Sequence, residues 1–309
     1  MESIIFNPAI FRRVSSFFPE TFTISLLHSF SNDNFLVTND KEKVVIRVPR
    51  EKMHSLVDRH FEYKNSLLAQ KEGFNPLEIL FFDLSDGLQV TRFLEKATFL
   101  SRNDLSDEKK IDEIVNVLRR LHKSKIIFEN IFNPFHRLKN ILHILKVQRG
   151  ELSTRFYEIH SNIYELEKIL EWNCFESSPC HNDPVPSNFV LIDNSFKLID
   201  WEYSGNNDPA WDLAYLFTIL SLSKEQENFL INSYSSKKID IIQAKMTFFK
   251  PIIHLTISLW ATLQVLENFP KLSKNQLDIL STEHFEKYKK LILSEDFSLA
   301  IALLKNIST

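Results

Sequence analysis

Glycine supplies only 4 of the 309 residues, whereas average usage is roughly 7%. Glycine is the residue that takes left-handed backbone and close backbone approach at least cost. A chain so poor in it cannot be collagen-like, linker-rich or of low complexity. The same shortage argues against a glycine-rich loop of the kind that cradles phosphates through backbone N–H groups. Phenylalanine, by contrast, occurs 27 times.

Length is consistent with one large domain or two coupled ones. Charged residues at 25% and apolar ones at 44% are ordinary for a globular chain. A net charge of -3 gives no electrostatic footprint for nucleic acid. Cys174 and Cys180 are too few for a disulfide framework and lack zinc spacing, so a reducing, cytoplasmic setting is expected. The first residues lack the basic and apolar regions of a signal peptide. The longest uncharged apolar stretch, Pro251 to Leu266, is shorter than the ~20 residues a membrane span needs and holds His254 and Gln264. No membrane span is expected, and oligomeric state is not legible.

The first third alternates strand and turn signals. Runs at 34–38 and 43–48 flank the polar stretch Asn39 to Glu42, which reads as a hairpin. A helix is expected from about Glu51 to Lys71, stopped by Gly73 and Pro76. Two more strands, 77–82 and 88–93, complete a small β-rich lobe ending near Leu94. The remainder is mostly helical. Ile111, Ile114, Val115, Leu118 and Leu121 line one helix face, with Asp104 or Ser106 as cap. Leu152, Phe156, Ile159, Ile163, Leu166 and Leu170 line another. Both stripes read as core. After residue 208 the pattern is helical to the end, with breaks expected at Pro251 and Pro270. One hairpin interrupts the helices, Phe189 to Asp200, with 193 expected opposite 196 and 189 opposite 200. Asn188 and Asp200 would then meet at its open end.

Before that hairpin runs Cys180-His181-Asn182-Asp183-Pro184-Val185-Pro186-Ser187-Asn188, an H-x-D-x4-N pattern. Kinase catalytic loops have this spacing, with the Asp receiving the substrate proton and the Asn holding a metal. Asp200-Trp201-Glu202 stands where kinases carry their other metal-binding Asp. Phosphoryl transfer requires positioning and charge neutralisation. Asn188 and Asp200 are therefore the expected Mg²⁺ ligands, and Asp183 the base that orients the attacking hydroxyl. Asp183, Asp200, Glu202, Asp208 and Asp212 crowd one short stretch. The carboxylates beyond those a metal needs suit a cationic acceptor, and aromatic faces would hold a quaternary ammonium.

His181 to Phe217 resembles the Brenner motif of the aminoglycoside phosphotransferase and choline kinase superfamily, and most resembles bacterial choline kinases. Further likenesses lie at Ser31-Asn32-x-Asn34-Phe35, at Val45-Ile46-Arg47-Val48-Pro49, at Arg59-x-x-Glu62-x-x-Asn65 and at Leu121-His122. The resemblance implies an α+β, protein-kinase-like bilobal fold: a nucleotide-binding lobe over 1–94 and a helical catalytic and substrate-binding lobe over 95–309. It implies an ATP- and Mg²⁺-dependent kinase of a small cationic amine, choline being the first choice. Ethanolamine, thiamine or an aminoglycoside are other acceptors for the same fold, and a silent pseudokinase is the non-enzymatic alternative. By the same resemblance Arg47 contacts the ATP phosphates with Glu62 as its ion-pair partner, and Ser31 and Asn32 belong to the nucleotide loop. Asp212 steadies the catalytic loop, His181 packs it, and Glu202, Trp260 and Trp211 face the acceptor, with Tyr215 a further candidate. Two departures stand out: the nucleotide loop 27–34 contains no glycine, and Ile257 occupies a position where eukaryotic-type choline kinases have Trp.

Overall fold

The computed structural model describes residues 8–17, 22–27, 32–50, 56–100, 104, 107–149, 154–170, 175–266 and 272–307. Helix α1 (Pro8–Val14) precedes strands β1 (Thr23–Leu27), β2 (Asn32–Thr38) and β3 (Lys43–Pro49). Then come α2 (Arg59–Lys71), β4 (Ile79–Phe82) and β5 (Gln89–Arg92). The five strands form one antiparallel sheet in the order β1-β2-β3-β5-β4. Side chains alternate across a strand. Val44 and Ile46 of β3 therefore join the core under α1 with Val14, Val37 and Val90, while Arg47 is left for the other face.

On that other face lies α2. It starts at Arg59 and not near Glu51, because Asp58 caps it, accepting from His60 N at 3.0 Å and Phe61 N at 3.2 Å; residues 51–55 lie outside the described ones. Arg59, Glu62 and Asn65 are spaced by three and share one face of this helix. All three are buried, and that face meets the second lobe.

The β4–β5 turn is held twice. Gly87, at φ 81°, closes it by donating to Asp83 O at 2.7 Å. From α1, the Arg13 guanidinium forks onto Asp86 at 2.6 and 2.7 Å and reaches Asp83 at 2.6 Å.

The sheet ends at Arg92, and β6 (Thr98–Phe99) already pairs with the hairpin described next. The second lobe contains α3 (Glu108–His122), α4 (Pro134–Arg149), α5 (Thr154–Leu170), β7 (Ser178–Cys180), β8 (Phe189–Ile192), β9 (Ser195–Leu198), β10 (Gly205–Asn207), α6 (Pro209–Leu220), α7 (Lys224–Tyr234), α8 (Ile239–Leu266), α9 (Lys274–Ile292) and α10 (Glu295–Ile307). The α3 stripe is buried as expected, but the cap is Asp107, which accepts from Lys109 N at 3.0 Å. Pro251 does not break its helix: α8 continues through it for 28 residues. The neighbouring Phe248, Phe249, Ile252 and Ile253 are buried in the main core, and that packing outweighs the one hydrogen bond proline forfeits. Pro270 lies outside the described residues. By length and composition α8 is apolar enough to cross a membrane, yet 72% of its most apolar window is buried inside the protein, as befits a central core helix.

The β8–β9 register is shifted from the expected one. Ile192 pairs with Ser195 and Phe189 with Leu198, so the turn residues are Asp193 and Asn194, at φ 48° and 58°. Such a two-residue turn needs positive φ at both positions, which Asp and Asn tolerate better than Ser. Asn188 then faces Ile199, whose N–H donates to Asn188 O at 2.9 Å, and Asp200 follows one residue beyond.

Candidate active site

The loop 181–188 leaves β7 and enters β8, and α6 pins it from below. Asp212, in the first turn of α6, accepts from His181 N at 2.9 Å and from Asn182 N at 2.8 Å. His122 of α3 completes its shell at 3.0 Å and reaches Tyr234 of α7 at 2.8 Å. The Trp211 indole donates to Asn182 O at 3.1 Å. Asn182 takes left-handed backbone at φ 66°, and its amide donates to Tyr203 O at 3.0 Å while accepting from Asn207 at 2.9 Å. Turned this way, the loop leaves Asp183 half-buried among buried neighbours. Among the described residues, His122, Cys180 and Asp212 are the one trio of His, Cys or acidic groups whose ligand atoms lie within 4.8 Å of one another. All three are engaged in this internal network, and Cys180 bonds Asn207 O at 3.4 Å.

Asn188 sits in a short 3₁₀ turn, 186–188, and its Nδ2 donates to Asp183 O at 3.0 Å. That orientation leaves the amide oxygen for a cation. His181 bonds Ile199 O through Nε2 at 2.9 Å and packs edge-on against Trp201, which holds the strand before Asp200. Asp200 itself is in left-handed backbone at φ 65°. A non-glycine residue held there marks a locally strained position of the type that collects at functional sites.

Between the lobes, two arginines meet three carboxylates. Arg47 pairs with Glu62 of α2 and lies 3.4 Å from Asp200. Arg59 bonds Glu62 at 2.6 Å and lies 3.6 Å from Glu202. Gly87 presses on Arg59 from above: a Cβ there would stand 2.5 Å from Arg59 Nε. Burial opposes the Arg47 charge, but Glu62, Asp200 and Glu202 outweigh it and raise its pKa. Asp200 is raised, mainly by burial, against the pull of Arg47. Glu202 is pushed up to about 8, first by burial and then by Asp200 and Glu62. One carboxylate is thus in excess over these two arginines, and Asp183 is matched by Arg137 nearby. A hard cation with oxygen ligands fits this donor set.

Docking of α2 brings the remaining pieces together. Asn65 donates to Asn130 Oδ1 at 2.9 Å and to Ser204 O at 3.0 Å, joining the first lobe to the segment after Asp200. Asn32 opens β2, buried and opposite Pro49. Ser31 lies outside the described residues, as do residues 28–30 of the nucleotide loop. Trp211 is fully buried behind the catalytic loop against Phe132, Tyr215 and Phe249. Trp260 is partly buried on α8 against the core, and Ile257 one turn earlier is buried. The expected surplus of acid is smaller than the sequence count suggests. Asp208 caps α6 and pairs with buried Lys245 at 2.7 Å, and Asp212 serves the loop.

Three site residues, Arg59, Arg137 and Tyr203, escaped the sequence reading as such. Arg59 was visible only as the first member of its helical triplet. Arg137, Tyr203 and Tyr215 gather around Asp183: the Arg137 guanidinium stacks on the Tyr203 ring at 3.7 Å, and the Tyr215 hydroxyl, its pKa raised by burial and then by Asp183, lies near that carboxylate. Tyr203 follows the Asp200-x-Glu202 signature directly and could have been found by spacing; Tyr215, already a candidate, lies one turn past Asp212. Nothing in the sequence around Arg137 signals its position.

A small antiparallel lobe over a helical one, joined at a loop, hairpin and arginine–glutamate pair, defines a protein-kinase-like bilobal fold. Comparison with known proteins narrows this. The family model for choline/ethanolamine kinase matches residues 21–235. Protein LicA of Haemophilus influenzae is 34% identical over 213 residues, covering 67% of this chain and 77% of that protein. In a second Haemophilus influenzae LicA the match is again 34%, over 219 residues, and spans 62% of that protein's length. The structure of choline kinase LicA from Streptococcus pneumoniae superposes with TM-score 0.76 at 24% identity, over 92% of this chain and 97% of that one. A LicA structure in complex with AMP gives 0.74 at 23% identity, over 91% and 98%. The chain belongs to the choline/ethanolamine kinase family.

Proposed function

We propose that this protein transfers the γ-phosphoryl group of ATP to the hydroxyl of a small cationic amino alcohol, choline first, with Mg²⁺ as cofactor. The observation that carries the reading is the meeting of Asp183, Asn188 and Asp200 with the Arg47–Glu62 pair across the lobes. Arg47, forked and permanently charged, holds the nucleotide phosphates, and Glu62 and Arg59 fix its direction. The Asn188 amide oxygen and the Asp200 carboxylate hold Mg²⁺, with Glu202 behind them. Bound there, the ion neutralises phosphate charge. Asp183 accepts the hydroxyl proton and aims the oxygen. The names of the relatives support choline as acceptor, as does the excess of carboxylate over arginine. A likeness to an AMP complex supports an adenine nucleotide.

The test is ADP release from Mg-ATP with choline, ethanolamine, thiamine and kanamycin in turn. Choline-dependent release is expected; turnover with another acceptor alone moves the assignment within the family. Absence of both ATP binding and turnover sinks the enzymatic reading in favour of a silent binding module. Asp183→Asn is expected to lower kcat by roughly 1,000-fold or more while ATP binding stays within about threefold. A variant with near-normal turnover refutes the role given to Asp183.

A further inference from the structure

Arg137 opens α4, far from every segment that carries the kinase signature. It nonetheless lies close enough to Asp183 to feel its charge. Its guanidinium lies flat on Tyr203 at 3.7 Å. The charged and polar groups that act on it are Tyr203, Tyr215, Asp183 and Glu202. Its Nε and Nη1 are buried and meet no hydrogen-bond acceptor among the described residues. A buried guanidinium with two unsatisfied donors is costly. Such a cost is relieved by a ligand that brings acceptor oxygens. A quaternary ammonium brings none beyond its hydroxyl, and it gains nothing from a face of Tyr203 that is already covered. A phosphoryl group brings three.

We propose that Arg137 binds the phosphoryl group on the acceptor side, gripping it as it lands on the acceptor oxygen and holding the phosphomonoester product. This rests on the kinase reading above. The bond between the γ-phosphorus and its bridging oxygen breaks, and that oxygen leaves with the electron pair on the nucleoside diphosphate. A bond from phosphorus to the acceptor oxygen forms, and the hydroxyl proton passes to Asp183. Charge on the phosphoryl oxygens thus moves from the Arg47 side toward the Asp183 side, where the acidic groups would repel it. Arg137 supplies the counter-charge there, in the way an arginine contributed in cis stabilises phosphoryl transfer elsewhere.

Arg137→Gln and Arg137→Lys test this. Two readouts are needed, product binding by calorimetry and steady-state kinetics. For Arg137→Gln, affinity for phosphocholine is expected to fall about tenfold or more, and kcat roughly 100-fold, with the choline KM within about threefold. Arg137→Lys keeps the charge without the fork and should recover part of both losses. If Arg137→Gln does not fold, as judged by its melting transition, Arg137→Lys against wild type carries the test, with an affinity loss of about fivefold expected. Unchanged phosphomonoester affinity in a folded variant overturns the proposal. So does a lowered choline KM at unchanged kcat, which would make Arg137 a mere competing cation. The binding arm uses phosphocholine, phosphoethanolamine and inorganic phosphate, and needs no turnover. Arg137-dependent binding without activity toward choline would sink the choline reading and leave this one standing. Turnover of choline with Arg137-independent product binding would do the reverse.

Discussion

Asp212→Asn isolates what holds the catalytic loop in place. The wild-type carboxylate accepts three hydrogen bonds, from His181 N at 2.9 Å, Asn182 N at 2.8 Å and His122 Nε2 at 3.0 Å. Asparagine has nearly the same shape but only one acceptor oxygen. That oxygen can keep one of the two loop amides, and the new NH₂ then faces the other, donor against donor. His122 can adapt by changing tautomer; a backbone N–H cannot. The substitution therefore leaves one buried amide unsatisfied, about 1–3 kcal/mol, and turns a charge-assisted bond into a neutral one, about 1 kcal/mol more. A loss near 3 kcal/mol is expected from urea unfolding followed by fluorescence of the buried tryptophans. The loop amide that is released belongs to the residues just before Asp183, so kcat should fall roughly 30-fold or more. Nucleotide KM should stay within about threefold, because Arg47 and Glu62 sit in the other lobe. Two results refute the reasoning: stability within about 0.5 kcal/mol of wild type, or lost stability with wild-type kcat.

Gly87→Ala places a methyl 2.5–2.8 Å from Arg59 at φ 81°, so either the turn or the arginine must move. The expected cost is about 2 kcal/mol or more in urea midpoint, with a raised nucleotide KM; an unperturbed variant would show that Arg59 is free to shift. His254 and His284 touch at 3.0 Å through Nδ1, and burial, with His284, Lys287 and Lys250 nearby, lowers His254 to about 3. Burial and Lys287 lower His284 to about 4. The unfolded chain therefore takes up protons below about pH 6.5 that the folded one refuses, so this stability is full above that pH and is lost as pH falls toward 4. The slope is at most about 1 kcal/mol per ring per pH unit, and less for the more exposed His284. The double His→Gln variant should show a flatter stability profile between about pH 7 and 5 by urea midpoints; parallel profiles would refute it.

The parts of the site that are close in sequence were legible. The spacing from His181 to Asn188, the hairpin and Asp200 rest on local geometry, and the helical spacing of Arg59, Glu62 and Asn65 aligns them on one face. The hairpin register was misread by one step because apolar alternation alone does not say which pair turns; the positive φ of Asp193 and Asn194 decides it. Pro251 was misread because packing of a 28-residue core helix overrides a local breaker. Arg137 could not be read at all. Its place depends on how α4 is docked against the segment after Asp200, a long-range outcome with no local signal.

The Arg13 fork on the β4–β5 turn bears on how the protein ages. Asp86-Gly87 is the chain's only Asp-Gly step, and there is no Asn-Gly step. Asp-Gly steps degrade to isoaspartate when the glycine nitrogen attacks the aspartyl carboxyl. Here both reactants are occupied: Arg13 grips the Asp86 carboxylate at 2.6 and 2.7 Å, and the Gly87 N–H is spent on Asp83 O at 2.7 Å. An N-terminal helix outside the chemistry thus guards the one peptide step most prone to slow covalent damage, at the turn that packs over Arg59. Stored protein lacking that guanidinium would accumulate its first lesion there.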